Sequence, residues 1–321
     1  MLETIFDPNN YPFWILVISI LVGAIVVISR PFSTYVKFVY PNAKFEAIGN
    51  PYITEKELDR VAESKDLNDF VDNLNTNKDY KLSGENTFEL QKSIDIHLIK
   101  TIEMMKKDSS KKMDEFYNAY LEKLDHYILK NSIKDRMQDK EIDKDIVEKA
   151  ISTSTKNFLQ DIIQSDKNKI PQLLKNYDFP DSVIELVSKD DFDLIMFDTE
   201  MDKFIINKLK QTKVPYKCEN GKKKFIHYLV DTTNIKNILR AKQIGYDNKT
   251  CKNLFLGEGQ EIADWKYNEL CEFDSVSQVI SSLQGTSYYN PLKNSIEDYN
   301  KDNSVQVLEN ALDGNFLKLI K

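Results

Sequence analysis

Two stretches of this chain, about a hundred residues apart, carry one pattern, and a repeat of that size restricts the fold to stacked copies of a small unit. Residues 225–245 read FIHYLVDTTNIKNILRAKQIG, and FYNAYLEKLDHYILKNSIK begins at Phe116. Both contain a Tyr-Leu pair (Tyr120-Leu121, Tyr228-Leu229), an Asp (Asp125, Asp231) and an Ile-Leu-basic triplet (Ile128-Leu129-Lys130, Ile238-Leu239-Arg240). Matching pair to pair and triplet to triplet leaves the spacings two residues apart, which implies a short insertion or deletion in a turn. A unit this small cannot bury its own apolar face, so copies must stack.

Apolar stripes repeat as well. Leu58, Val61, Leu67, Phe70, Val71 and Leu74 return 209 positions later as Tyr267, Leu270, Val276, Val279, Ile280 and Leu283. Leu90, Ile94 and Leu98 return as Met201, Ile205 and Leu209, and again as Leu308, Leu312 and Phe316, each set on one helix face. With only 9 Gly and 9 Pro in 321 residues, breakers are too few for a turn-rich sheet protein. The expected architecture is all-α, with three helical modules at 53–137, 138–245 and 246–321. The third lacks a copy of the Tyr-Leu…Asp…Ile-Leu-basic block and reads as incomplete. Thr54 and Glu57 suit a capping box opening the first module, Ser64-Lys65-Asp66 reads as a break between helices, and Lys222-Lys223-Lys224 as a solvated turn.

Ahead of the modules, Phe13 to Ser29 carries no charge over 17 residues. As a helix it covers about 25 Å, and Tyr11 and Pro12 extend it toward the ~30 Å hydrocarbon core of a bilayer. A cleaved signal peptide is the competing reading. Against it stand the acidic flank (Glu3, Asp7), the length of the run and the absence of a small-residue cleavage site at Ser29-Arg30-Pro31. Arg30, Lys37 and Lys44 follow the run, so residues 1–30 are expected to anchor the chain with the body in the cytoplasm and the N-terminus outside. Tyr11 and Trp14 then sit at the outer interface, with Phe32, Tyr35 and Arg30 at the inner one. Residues 31–52, holding two prolines and Gly49 before Pro51, are expected to be a connector.

The sequence offers little chemistry. Gly257-Glu258-Gly259 lacks the Lys-Ser/Thr of a phosphate loop. Cys218, Cys251 and Cys271 show no paired spacing, and His97, His126 and His227 do not converge on a ligand set. No catalytic residue, cofactor or metal is expected, and a net charge of −7 argues against nucleic acid as a partner. The basic cluster Lys236, Arg240 and Lys242, on a helix that Gly245 is suited to end, is the candidate partner contact for an acidic surface; a solvated helix face is the plainer alternative.

The string Asp231-Thr-Thr-Asn-Ile-Lys-Asn-Ile-Leu-Arg-Ala-Lys resembles a block of the C subunit of archaeal A-type and related V-type ATP synthases, whose eukaryotic relative is the d subunit of the V-ATPase. Tyr40-Pro-Asn-Ala-Lys44 and Leu283-Gln-Gly-Thr-Ser-Tyr288 are similar to two further blocks of that family, in the same order along the chain. The resemblance implies a funnel of three modules related by pseudo-threefold symmetry. It implies a non-catalytic part of the central stalk, seated on the membrane proteolipid ring, with the central shaft as its other partner, in the cell membrane. An N-terminal membrane helix departs from many relatives. The alternative function is a membrane-anchored, all-helical scaffold or interaction protein unrelated to ATP synthase; an anchored enzyme with an unusual site is a third reading.

Overall fold

The computed structural model describes residues 8–48, 55–76, 81–215 and 218–320. Glu3, Asp7, Gly49 and the Thr54 cap lie outside them. Among the described residues the chain is helical, with no strand. In order, the helices are α1 (Tyr11–Ile48), α2 (Glu55–Ala62), α3 (Leu67–Asn75), α4 (Thr87–Asp108), α5 (Asp114–Leu124), α6 (His126–Met137), α7 (Ile146–Lys149), α8 (Thr153–Gln164) and α9 (Ile170–Asn176). They continue as α10 (Asp181–Val187), α11 (Leu194–Gln211), α12 (Glu219–Ile244), α13 (Asn248–Asn253), α14 (Asp264–Cys271), α15 (Val276–Ser282), α16 (Tyr289–Asn294), α17 (Ile296–Asp302) and α18 (Val305–Ile320). The chain forms two compact units, residues 1–117 with 213–219, and residues 118–212 with 220–321.

In the first unit, α1 is long and apolar enough to cross a membrane, with a mean hydropathy of 2.6 over its most apolar window and none of that window buried. Tyr11, Trp14, Arg30 and Tyr35 are all exposed on it, and the Trp14 indole donates to the Pro8 carbonyl at 2.9 Å. The helix runs on through residues 31–48 with Pro31 and Pro41 inside it. Proline removes one N–H, and so one rung of the ladder, but the flanking helix formers keep the helix continuous on either side. Lys44 pairs with Asp108 at the end of α4, at 2.5 Å. The break expected at Ser64–Asp66 is present, because the Asp66 carboxylate accepts the Asp69 N–H at 2.9 Å and caps α3.

Among the described residues, the second unit includes two large apolar cores. One is built from residues of Leu129–Met201 and the other from residues of Ile235–Leu312. Each begins on a copy of the repeated block, so each block packs with the helices that follow it. The stripe Tyr267–Leu283 is fully buried in the second core, whereas its counterpart in the first unit is only partly covered, with Leu58 at 57% exposure. Ser275 and Gln278 form a capping box on α15. Gly245 ends α12 at φ +81°, with the Tyr246 N–H returning to the Ala241 carbonyl at 2.9 Å. Lys222–Lys224 are not a turn but the opening of α12, where the Lys222 ammonium donates to the Thr212 carbonyl at 2.6 Å and helps satisfy the end of α11.

Candidate functional site

Asp231 sits in the middle of α12 with no exposed surface. Its carboxylate accepts the backbone N–H groups of Gln260, Glu261 and Ile262 at 2.9, 2.7 and 3.1 Å, and the Tyr288 hydroxyl donates to it at 3.1 Å. One turn on, the Asn234 amide accepts from the Leu256 N–H at 3.0 Å and donates to the Gly257 carbonyl at 3.0 Å. Together they hold the loop between α13 and α14. Gly259 is required there: a Cβ on it would lie 1.9 Å from the Asp231 carboxylate. Gly257-Glu258-Gly259 is thus a loop gripped by a helix.

Asp125 does the same work in the earlier copy. It lies between α5 and α6, and its two oxygens accept the N–H groups of Ile151 and Ser152, at 2.7 and 2.6 Å, just ahead of α8. Burial pushes both carboxyls up from the usual range, against the pull of these donors.

The two aspartates fix the register of the repeat, and it differs from the one the apolar triplets suggest. From each Asp the copies align without insertion: Lys130 with Lys236, Lys134 with Arg240, Arg136 with Lys242. Their contacts correspond one for one. Lys130 donates to Asp202 at 2.8 Å and Lys236 to Asp313 at 2.6 Å. Lys134 pairs with Asp198 at 3.0 Å, and Arg240 makes a two-pronged pair with Glu309, its Nη2 at 2.6 Å. Arg136 donates to the Ile163 carbonyl of α8 at 2.9 Å, and Lys242 to the Cys271 carbonyl of α14 at 2.6 Å. In each copy an aspartate grips the loop entering the next helix, and two cations bind two carboxylates four residues apart on a long helix (α11 or α18). A third cation satisfies a carbonyl at the far end of the gripped helix.

The candidate cluster Lys236, Arg240 and Lys242 is therefore brought together on one helix but engaged inside the chain. Lys242 is buried, and its ammonium also donates to Asn248 at 3.1 Å. Lys236 is 17% exposed at its side chain, and Arg240, despite Glu309, is 56% exposed. The partner carboxylates Asp198, Asp202, Glu309 and Asp313 do not stand out in the sequence, although two acidic pairs at i, i+4 spacing on helices of matching place in the repeat are a signal for them. His126 joins the first ladder, its Nε2 donating to Asp202 at 2.8 Å. Burial lowers its pKa below the ordinary value, and Asp202 offsets part of that. Cys251 and Cys271 are buried and unpaired, near Lys242. Among the described residues no group of three or more His, Cys, Asp or Glu is placed to hold a metal ion.

A clamp of this kind is structural, and a sequence profile of the ATP synthase (C/AC39) subunit family matches residues 41–321, which include both copies of it. The chain belongs to that family. It is a non-catalytic subunit of its complex, which sets aside the unrelated scaffold and the anchored enzyme. Among curated relatives it is 26% identical to the A-type ATP synthase C subunit of Methanobrevibacter smithii, over 94% of this chain and 80% of that one. It is 24% identical to the C subunit of Methanothermobacter thermautotrophicus, with the same coverages. The C subunit of Pyrococcus horikoshii is 27% identical over 81% of this chain and 70% of its own.

Proposed function

We propose that this member of the C/AC39 family couples the membrane proteolipid ring of a rotary A/V-type ATP synthase to its central shaft, and passes torque between them during ion-driven ATP synthesis. The observation that supports the reading most is the duplicated clamp. A torque-bearing part must not shear between its helices, and in both copies charged groups that could have faced water instead fix one helix to the next. Three modules, at 53–137, 138–245 and 246–321, would form a funnel around the foot of the shaft. Within the basic cluster Lys236, Arg240 and Lys242, Arg240 is the cation with side-chain surface left to meet an acidic partner.

Residues 12–29 of α1 would cross the membrane, with the N-terminus outside, the body on the cytoplasmic side, and Tyr11, Trp14, Arg30 and Tyr35 at the interfaces. A helix carried by a rotor cannot lie in the lipid outside the ring, because it would meet the stator on each turn. Its place is then the central opening of the ring. Purification of the full chain in mild detergent should bring ring and shaft components with it; recovery of the chain alone would sink the rotor assignment. A cysteine at Ser19 should crosslink to the lumen-facing helix of the proteolipid, and efficient crosslinking to the stator instead would place the helix outside.

A further inference from the structure

Where the apolar run of α1 gives way to polar residues, a cleft of about 380 Å³ opens on the first unit. Three cations line it: Arg30 and Lys37 of α1, and Lys112 from the turn after α4. Three hydroxyl side chains, Ser29, Ser33 and Ser110, line it too, and no carboxylate is among the described lining residues. Its apolar rim is Val26, within the uncharged run, and Pro215. Arg30 and Lys37 are seven residues apart, so they share one face of the helix and stand about 10 Å apart along it. Lys44, the next in that series, is taken by Asp108, which ties the lower part of α1 to the end of α4 and so holds Lys112 and Ser110 beside the upper two cations. Neither Lys37 nor Lys112 has an ion-pair partner among the described residues. In a chain of net charge −7, two such ammonium groups gathered around hydroxyls face no carboxylate partner among the described residues.

We infer that this cleft binds the phosphate-bearing headgroup of an anionic phospholipid enclosed with α1 in the ring's central opening, in the leaflet facing the body. The inference rests on the reading of α1 as a membrane-spanning helix. Phosphate oxygens are matched by the guanidinium, the two ammonium groups and the serine hydroxyls. A soluble anion would use those groups equally well, but the site sits at the depth of the headgroups. Arg30 directly follows the uncharged run, and Val26, one turn above it, offers an apolar wall to the first carbons of an acyl chain. The headgroup layer adds roughly 5–8 Å on each side of the hydrocarbon core, a depth that lies between Arg30 and Lys37. Attraction of the three cations to an anionic leaflet adds to the same preference and is weakened by salt. Bound lipid would fix the rotation of α1 about its own axis as well as its depth, because the third cation comes from the body.

The test uses the full chain in a neutral maltoside detergent, with radiolabelled phosphatidylglycerol or phosphatidylcholine as probe and inorganic phosphate as competitor. The wild type should retain phosphatidylglycerol with at least about tenfold preference over phosphatidylcholine. The variant carrying Arg30→Gln, Lys37→Gln and Lys112→Gln should lose that preference while staying in the membrane fraction after alkaline carbonate washing. Equal retention of the two lipids, or undiminished preference in the triple variant, overturns the inference. Full displacement of the lipid by millimolar phosphate also overturns it, in favour of a soluble anion. Release of the wild-type chain by carbonate overturns the spanning reading beneath it, and is told apart from lost lipid selectivity, which leaves the chain embedded.

Discussion

The two copies of the block run one device with different numbers of backbone donors. Asp231, inside an unbroken 26-residue helix, accepts three backbone N–H groups and a tyrosine hydroxyl, and Asn234 adds a second grip on the loop. Asp125, at the junction of two shorter helices, accepts two backbone N–H groups, with the Thr155 and Ser152 side chains bonded to it as well, and Ile128 stands where the second grip would be. The ion-pair ladders behind them are alike. What the contrast teaches is that the cations are the constant part of the repeat, setting the helix-to-helix distance, while the aspartate scales with the loop it must order. The longer segment between α13 and α14, residues 254–263, needs more of its backbone satisfied from outside, since the bonds back to α13 stop at Phe255.

The largest break in that contrast should come from Asp231→Ala, which strands three backbone donors, one buried and two part-buried. It should cost about 3–5 kcal/mol in denaturant unfolding of the full chain, with Asp125→Ala costing roughly half as much for its two backbone donors. Equal losses would mean that the extra donors on Asp231 add nothing. Next comes Gly259→Ala, expected to cost about 1–3 kcal/mol because its new methyl collides with Asp231. Paired with Asp231→Ala that cost should shrink, and strict additivity of the two would deny the contact. Lys242→Met should follow at about 1–3 kcal/mol, by leaving the Cys271 carbonyl and Asn248 without their donor.

Arg240→Ala should cost about 1–3 kcal/mol, since Arg240 is itself half exposed but its loss leaves the buried Glu309 carboxylate without its partner. If the same variant weakens copurification of shaft or ring components far more than it lowers stability, Arg240 serves a partner as well as the clamp. The smallest effect separates the two ladders by pH, because only the first carries a histidine. Burial holds the folded-state pKa of His126 below its ordinary 6.5, so the folded chain binds fewer protons than the unfolded one between those two values. Stability should therefore be full above about pH 6.5 and decline as pH falls through that window. His126→Gln should flatten the decline in a melting-temperature series from pH 7 to 5, and an unchanged slope would assign it to other groups.

Much of the fold is legible in the residues, and the reason is periodicity. The i, i+4 stripes and scarce breakers require helices, and Phe13–Ser29 declares its preferred surroundings by the absence of charge alone. Residues 31–48 stay helical through Pro31 and Pro41 because a helix with strong formers on both sides loses only a rung at each. The register of the repeat is what misleads. Isoleucine and leucine recur every three or four residues on any buried helix, so apolar triplets match at several offsets with equal ease. A carboxylate cannot slide in that way.

Helix content and the uncharged run followed from the amino-acid sequence by itself, since each depends on residues within a few turns of one another, and the existence of a repeat followed from comparing such local patterns along the chain. Which cations are engaged, which glycine is indispensable and how the two copies superpose was decided only by the tertiary structure. Those facts depend on partners 22 to 77 residues away along the chain, Asn234 with Leu256, Asp231 with the loop at 260–262 and Lys236 with Asp313 among them. A buried polar group takes its meaning from the partner that satisfies it, and that partner exists only once the helices have packed.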